Sequence, residues 1–240
     1  MRRTLLLSGL VLVLLQASAI AQTAESTRLP KAPNYCKPCL FYGGDFSKAQ
    51  NASGIANEED VLVPNAEVLI PFDVPKTQQW EATGLFTNDF SNVNVLDPKK
   101  AAWSISTGVT QNNCGTAVVS GNSSATLKPT GRSAFGLNEY TTLVKIKAAP
   151  LKPGRYWLTT VPECTKGSSC SSARYFASGF AGKPLDPFGP PEPCNMAYFS
   201  SQTLHQNCTL ITSNKGCNRF SAGVLGTKQS GDSLLDSDSK

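Results

Sequence analysis

Between Val68 and Phe90 the chain reads VLIPFDVPKTQQWEATGLFTNDF, with apolar residues at every second position on both sides of a short break. Val68, Ile70, Phe72 and Val74 alternate with Leu69, Pro71 and Asp73. Beyond Pro75, Lys76 and Thr77, the residues Trp80, Ala82, Gly84 and Phe86 alternate with Glu81, Thr83 and Leu85. A period of two belongs to strands, whose successive side chains leave opposite faces of a sheet. The stretch therefore predicts two strands joined by a short turn, one face buried against a second layer and the other wet or partly covered.

The same pattern recurs along the chain. Trp103, Ile105 and Thr107 alternate with Ser104 and Ser106 up to Gly108, CGTAVVSG (114–121) is bounded by small residues, and Ala125 to Lys128 is a weak strand ahead of Pro129 and Gly131. Tyr140, Thr142, Val144 and Ile146 share one face, and Lys152, Pro153 and Gly154 turn the chain into RYWLTTV (155–161). Further strands are expected at 174–178, 197–200 and 220–225, the last two partly at an edge. No window carries an amphipathic helical stripe with caps. The fold class expected is all-β: an antiparallel two-sheet sandwich, jelly-roll-like and disulfide-stapled.

The amino terminus differs from the rest. Arg2 and Arg3 precede an apolar run from Leu5 to Leu15 and then Ala19-Ile20-Ala21, which reads as a signal peptide over 1–21 with a small-x-small cleavage site. That run is shorter than the roughly 20 residues a membrane span needs, and no later segment comes closer. Residues 22–34 read as a flexible leader, 35–226 as a single β-sandwich domain interrupted by a Pro-rich loop at 182–193, and 227–240 as a disordered tail. The expected location is secreted, periplasmic or at the cell surface.

Charge adds little. The formal net charge of +5 includes Arg2 and Arg3, so removal of the leader leaves +3. That excess is too small and too dispersed to argue for nucleic acid. All eight cysteines follow the leader, and an even number in an exported chain predicts disulfides. Cys164 with Cys170, and Cys208 with Cys217, each flank a short polar loop and are the preferred local pairs. The pairing of Cys36, Cys39, Cys114 and Cys194 is open.

The succession of a strand ending PFDVP, a strand carrying Trp80 and then TGLFTN, the segment TGRSAFGLNEYTTLVKI and LKPGRYWLTTVPEC resembles secreted bacterial β-sandwich proteins of unassigned function. In its PGRYWL turn and strand it is also similar to jelly-roll appendage domains of secreted peptidases and surface proteins. The resemblance covers roughly Phe41 to Phe176, implies the fold and the compartment, and carries over no catalytic residue.

Several features bear on chemistry. Cys36-Lys37-Pro38-Cys39 has the spacing of a thiol-disulfide redox motif, but the helix start that lowers a thiol pKa is not predicted after it, so a structural bridge is favoured. A structural zinc site would need a second ligand pair that the cysteine spacing does not supply. His205 is the single histidine and lies in a polar segment, and no G-x-S-x-G elbow exists, GRSAFG having the wrong spacing. A hydrolase with dispersed carboxylates leaves no sequence signature that selects a pair. Asp45, Asn51, Asn57, Glu58 and Asp60 supply hard oxygens for a possible calcium, against the plainer reading of a solvated connection rich in turn formers. No other cofactor is implied.

Trp80, Trp103 and Trp157 lie in expected strands and belong to the core. Tyr42, Phe90 and Phe188, placed in loops, are the candidate ligand-binding aromatics, since a flat ring stacks on an apolar sugar face. Asn51, Asn122 and Asn207 begin N-x-S/T triplets, which matter only in a glycosylating host. The function expected is an exported non-catalytic protein for surface association or binding, with carbohydrate or cell-surface material as partner. The alternatives are a CxxC oxidoreductase, a hydrolase, or a purely structural envelope component. Oligomeric state is not set by these patterns.

Overall fold

The computed structural model describes residues 36–46, 53–181, 196–212 and 218–230. The leader segments up to residue 34, Asn51, the Pro-rich loop at 182–193 with Phe188, and Cys194 and Cys217 lie outside the described residues, as does the tail after 230.

Among the described residues fourteen strands follow in order: β1 (Cys39–Tyr42), β2 (Ser53–Ala56), β3 (Glu59–Asp60), β4 (Ala66–Val74), β5 (Gln78–Ser91), β6 (Lys100–Thr107), β7 (Thr116–Ala134), β8 (Leu137–Leu151), β9 (Gly154–Cys164), β10 (Tyr175–Ala181), β11 (Tyr198–Ser201), β12 (Gln206–Leu210), β13 (Asn218–Phe220) and β14 (Ala222–Ser230). A short 3-10 turn, Ser168–Cys170, is the only helical element among the described residues. The class is all-β and antiparallel, apart from the brief parallel pairing of β3 with β9.

The hydrogen-bonded order is β1-β14-β5-β8-β7-β6-β9-β4-β11-β12, a single curled sheet in place of two separate ones. β7 is the reason. Its first part, Thr116 to Ser124, pairs with β6, and its second, Ala125 to Ala134, pairs with β8. One long strand thus passes from one half of the sheet to the other where two strands were expected from the sequence.

The halves close over a shared core. Val68, Ile70, Phe72 and Val74 of β4 meet Trp80, Ala82 and Leu85 of β5, Ile105 of β6, Val144 and Ile146 of β8 and Leu158 of β9. Phe72 is fully buried, with ring centroids at 5.6 Å from Phe41, 6.1 Å from Trp80 and 5.7 Å from Tyr156. Burial of this kind stabilises each large side chain by roughly 1.5–3 kcal/mol.

The turn expected between β4 and β5 is not a hairpin turn. β4 pairs with β9 and β11, and β5 pairs with β14, β8 and β10, so Pro75 to Thr77 carry the chain across the core from one half to the other. Lys152 and Pro153 do the same between β8 and β9. Alternation fixes which side chains face inward, not which strand lies alongside.

A bulge between Ala82 and Gly84 changes the phase of β5. Trp80, Ala82 and Leu85 face the main core, while Phe86 turns outward to Tyr42 and Cys36. Phe86 was expected on the Trp80 face, and one extra residue in the strand moved it.

Bridges join Cys36 to Cys39, Cys114 to Cys208, and Cys164 to Cys170. The expected pairing of Cys208 with Cys217 is wrong. Cys208 packs with Leu69, Val109, Trp157 and Tyr198 on the outer face of β4 and β9, and Cys114 reaches it there from the connection ahead of β7. Disulfides fit an oxidising compartment. No helix among the described residues is long and apolar enough to cross a membrane. β14 continues through Ser230, four residues into the segment expected as a tail.

Candidate functional site

β7 and β8 meet in a two-residue turn, with Ala134 paired to Leu137 and with Phe135 at φ 55 and Gly136 at φ 75 between them. Positive φ at both positions is the type I′ geometry that suits a twisted hairpin and that Asn-Gly normally supplies. Gly136 meets the demand without a Cβ. Phe135 does not: a bulky side chain in the left-handed region costs roughly 1–2 kcal/mol. Its ring is nevertheless 62% exposed, touching Phe90 edge-on at a centroid distance of 5.7 Å.

Two concave surfaces flank this turn. On the outer face, Ser53, Gly54, Phe90, Phe135, Leu137 and Phe176 line an apolar cleft of about 390 Å³. The Arg174 guanidinium lies 4.8 Å from the centre of the Phe176 ring, and Phe46 meets Phe90 edge-on at 4.7 Å. At the open end of the space between the halves, a polar groove of about 590 Å³ is lined by Ser91, Asn92, Asn94, Gly136, Asn138, Tyr140 and Ser169, with Val93 as an apolar contact. Among the described residues no charged side chain lines either surface. Asn92 is spent on the backbone, donating to Ser172 O at 2.7 Å and accepting from Arg174 N at 2.9 Å, which holds the groove wall in place.

A buried polar layer lies behind the groove. Asp89 receives hydrogen bonds from Asn57 Nδ2 at 2.9 Å, Thr87 Oγ1 at 2.8 Å and Thr142 Oγ1 at 3.3 Å, while Asn57 also donates to Thr160 O across the core. Burial raises the Asp89 carboxyl to about 7 despite these donors. Glu58 accepts from Arg174 Nη2 at 2.7 Å and from Tyr175 N at 2.6 Å, and its carboxyl is also raised to about 7, chiefly by burial.

Of the described candidate calcium ligands, Glu58 and Asp60 are neighbours, and the rest are divided among other partners. Asp45 accepts from Tyr42 and pairs with Arg132, which also holds Glu139. Asn57 belongs to the Asp89 layer and Glu58 to Arg174, whereas Asp60 Oδ1 accepts from Leu62 N and Val63 N in a local turn. Among the described residues no group of three or more His, Cys, Asp or Glu is arranged to hold a metal ion. Asp60 Oδ2 is buried without a hydrogen-bond partner, whereas the Glu58 oxygens and Asn57 Oδ1 are engaged by protein donors.

Of the candidate aromatics, Tyr42 and Phe90 are in strands β1 and β5, not loops, and both are fully buried. Phe90 forms the wall of the apolar cleft, and Tyr42 packs on Phe86. Cys36 and Cys39 form a bridge at the start of a strand, beside Tyr42 and Phe86. The helix start that lowers a thiol pKa is not there. His205 occupies an exposed turn with φ 51.

No family model, curated protein or solved structure matches this chain. The case for a site therefore rests on geometry. Phe135, Asn94, Asn138 and Ser169 were not singled out from the sequence. The available signal was Phe-Gly between two alternating runs, where a type I′ turn prefers Asn-Gly.

Proposed function

We propose that the chain is an exported, non-catalytic binding protein that holds carbohydrate or cell-surface glycan at the β7–β8 tip. The observation that carries this reading is Phe135, an exposed aromatic ring held in an unfavourable backbone conformation between an apolar cleft and an uncharged groove lined by amides and hydroxyls. A sugar presents the matching chemistry, an apolar ring face for stacking and hydroxyls that pair with Asn and Ser. Backbone strain retained at an exposed position is a reason to look for function there.

In this reading the leader over 1–21 is removed on export and the curled sheet works as a jelly-roll-like sandwich, with β7 as the strand shared by its two layers. The three disulfides, which persist in oxidising compartments, support the same location. Glycosidic cleavage uses two carboxylates flanking the bond, and among the described residues none lines the tip surfaces, which favours binding over hydrolysis.

The test is a titration with short neutral oligosaccharides, followed by amide NMR. At least one should shift Gly136, Asn94, Asn138 and Ser169 together. Shifts confined to other surfaces, or none across the panel, would remove the reading and leave a structural envelope component.

A further inference from the structure

We propose a second, independent site: the outer face of the β7–β8 ribbon holds an acidic glycan, one bearing carboxylate or sulfate groups. Ser124, Ala125, Thr126 and Lys128 of β7, with Leu143 and Lys145 of β8, line a groove of about 590 Å³. Lys100 of β6 stands directly opposite Ser124 in the ladder, so its side chain leaves the same face. Lys100, Lys128 and Lys145 are all exposed.

These lysines are not neutralised within the protein. Among the described residues the ion pairs join Arg132 to Asp45 and Glu139, Arg155 to Asp73, and Arg174 to Glu58, and no lysine takes part. Glu163, on β9 beyond β6, is engaged by the Asn122 amide. The groove thus combines unpaired positive charge at its rim with the outward side of Leu143 and the hydroxyls of Ser124 and Thr126, while Ala125, opposite Val144, turns its methyl to the core.

That combination selects the ligand class. Leu143 offers apolar surface to a sugar ring, the hydroxyls of Ser124 and Thr126 serve its hydroxyl groups, and ammonium groups answer carboxylate or sulfate without demanding a planar partner. Nucleic acid would call for aromatic platforms on which bases stack, and none lines this groove. A membrane surface would call for an apolar or aromatic projection beside the charges. Val118 is the exposed large apolar residue on β7, on its opposite, β6-paired part.

The site is separate from the tip. Along β8 at ~3.3 Å per residue, Leu137 at the cleft lies about 13 Å from Thr141, which faces Lys128 at the near end of the groove, and about 26 Å from Lys145 at its far end. Between them stands the Asp45, Arg132 and Glu139 cluster, two carboxylates to one guanidinium. The tip is uncharged and the groove is cationic, so each can fail without the other.

The experiment titrates the full chain with a dextran sulfate oligosaccharide and with unsulfated dextran of the same length. The sulfated probe should bind, with affinity falling about tenfold in a Lys128→Gln/Lys145→Gln variant and falling again as salt rises. Two controls fix the location. Lys76→Gln/Lys152→Gln, with the same net charge, should bind like the parent, and so should Phe135→Asn. Equal losses in both lysine pairs would show general charge attraction and overturn the site, as would unchanged affinity in Lys128→Gln/Lys145→Gln. Capture by phosphatidylserine vesicles that depends on Lys128 and Lys145, without dextran sulfate binding, would overturn the glycan assignment.

Discussion

At the β4–β5 crossing, Phe72 is fully buried among the rings of Phe41, Trp80 and Tyr156, whereas at the β7–β8 tip Phe135 leaves 62% of its surface in water at φ 55. The first phenylalanine obeys every local preference of a strand: alternation, burial, stacking. The second violates the preference of its turn and buries little in return. Stability explains the crossing. It does not explain the tip, and that difference is why the functional reading is placed there.

If the two regions are divided in this way, damage to the core side should cost stability and spare the tip. The largest effect is expected from a Cys114→Ser/Cys208→Ser variant. The bridge closes a separation of 94 residues, and loop entropy alone gives about 4–5 kcal/mol, against about 2 for the Cys164–Cys170 bridge with its separation of 6. Urea unfolding of the two double variants measures the gap, and equal losses would refute the loop argument. Next, Phe72→Ala should cost about 3–5 kcal/mol in the same assay, with binding at the tip retained wherever the variant is still folded.

How far the sequence reached follows the same division. Alternation placed β4, β5, β6, β8 and β9 and grouped Phe72 with Val68 and Ile70, and Trp80 with Ala82, on one face each, because burial of one face is a local property of each strand. Partnership is not local. Nothing within VLIPFDVPKTQQW distinguishes a hairpin from a crossing to the opposite half, and the merged strand β7 was concealed by Gly121, Pro129 and Gly131, which read as breaks. Cys208 pairs away from its sequence neighbour because the cluster it joins, with Leu69, Val109, Trp157 and Tyr198, is assembled from segments far apart in the chain. The tip is hidden for another reason: GRSAFG carries Phe-Gly where the usual signal of a type I′ turn is Asn-Gly.

A smaller effect concerns the polar layer behind the groove. Carboxyls that titrate near 3.8 and 4.5 in Asp and Glu are pushed by burial to about 7 in Asp89 and Glu58. The folded state therefore holds protons that the unfolded state has already released. Their contribution to stability is complete below about pH 4 and is lost as pH rises through 7. Thermal unfolding should show Tm falling between pH 5 and pH 8, and Asp89→Asn, which cannot ionise, should flatten part of that slope. A parent Tm that rises over this range would contradict the assignment.

The smallest change in stability and the largest change in function are expected at one residue. In Phe135→Asn, relief of a left-handed phenylalanine is offset by loss of the Phe90 edge contact, so stability should stay within ~1 kcal/mol of the parent. The decisive measurement is the affinity of this variant for whichever neutral oligosaccharide shifts the tip amides, taken together with its urea midpoint. The account predicts a loss of about tenfold or more in affinity with the midpoint nearly unchanged. Full affinity, or a variant destabilised as severely as Phe72→Ala, would contradict it.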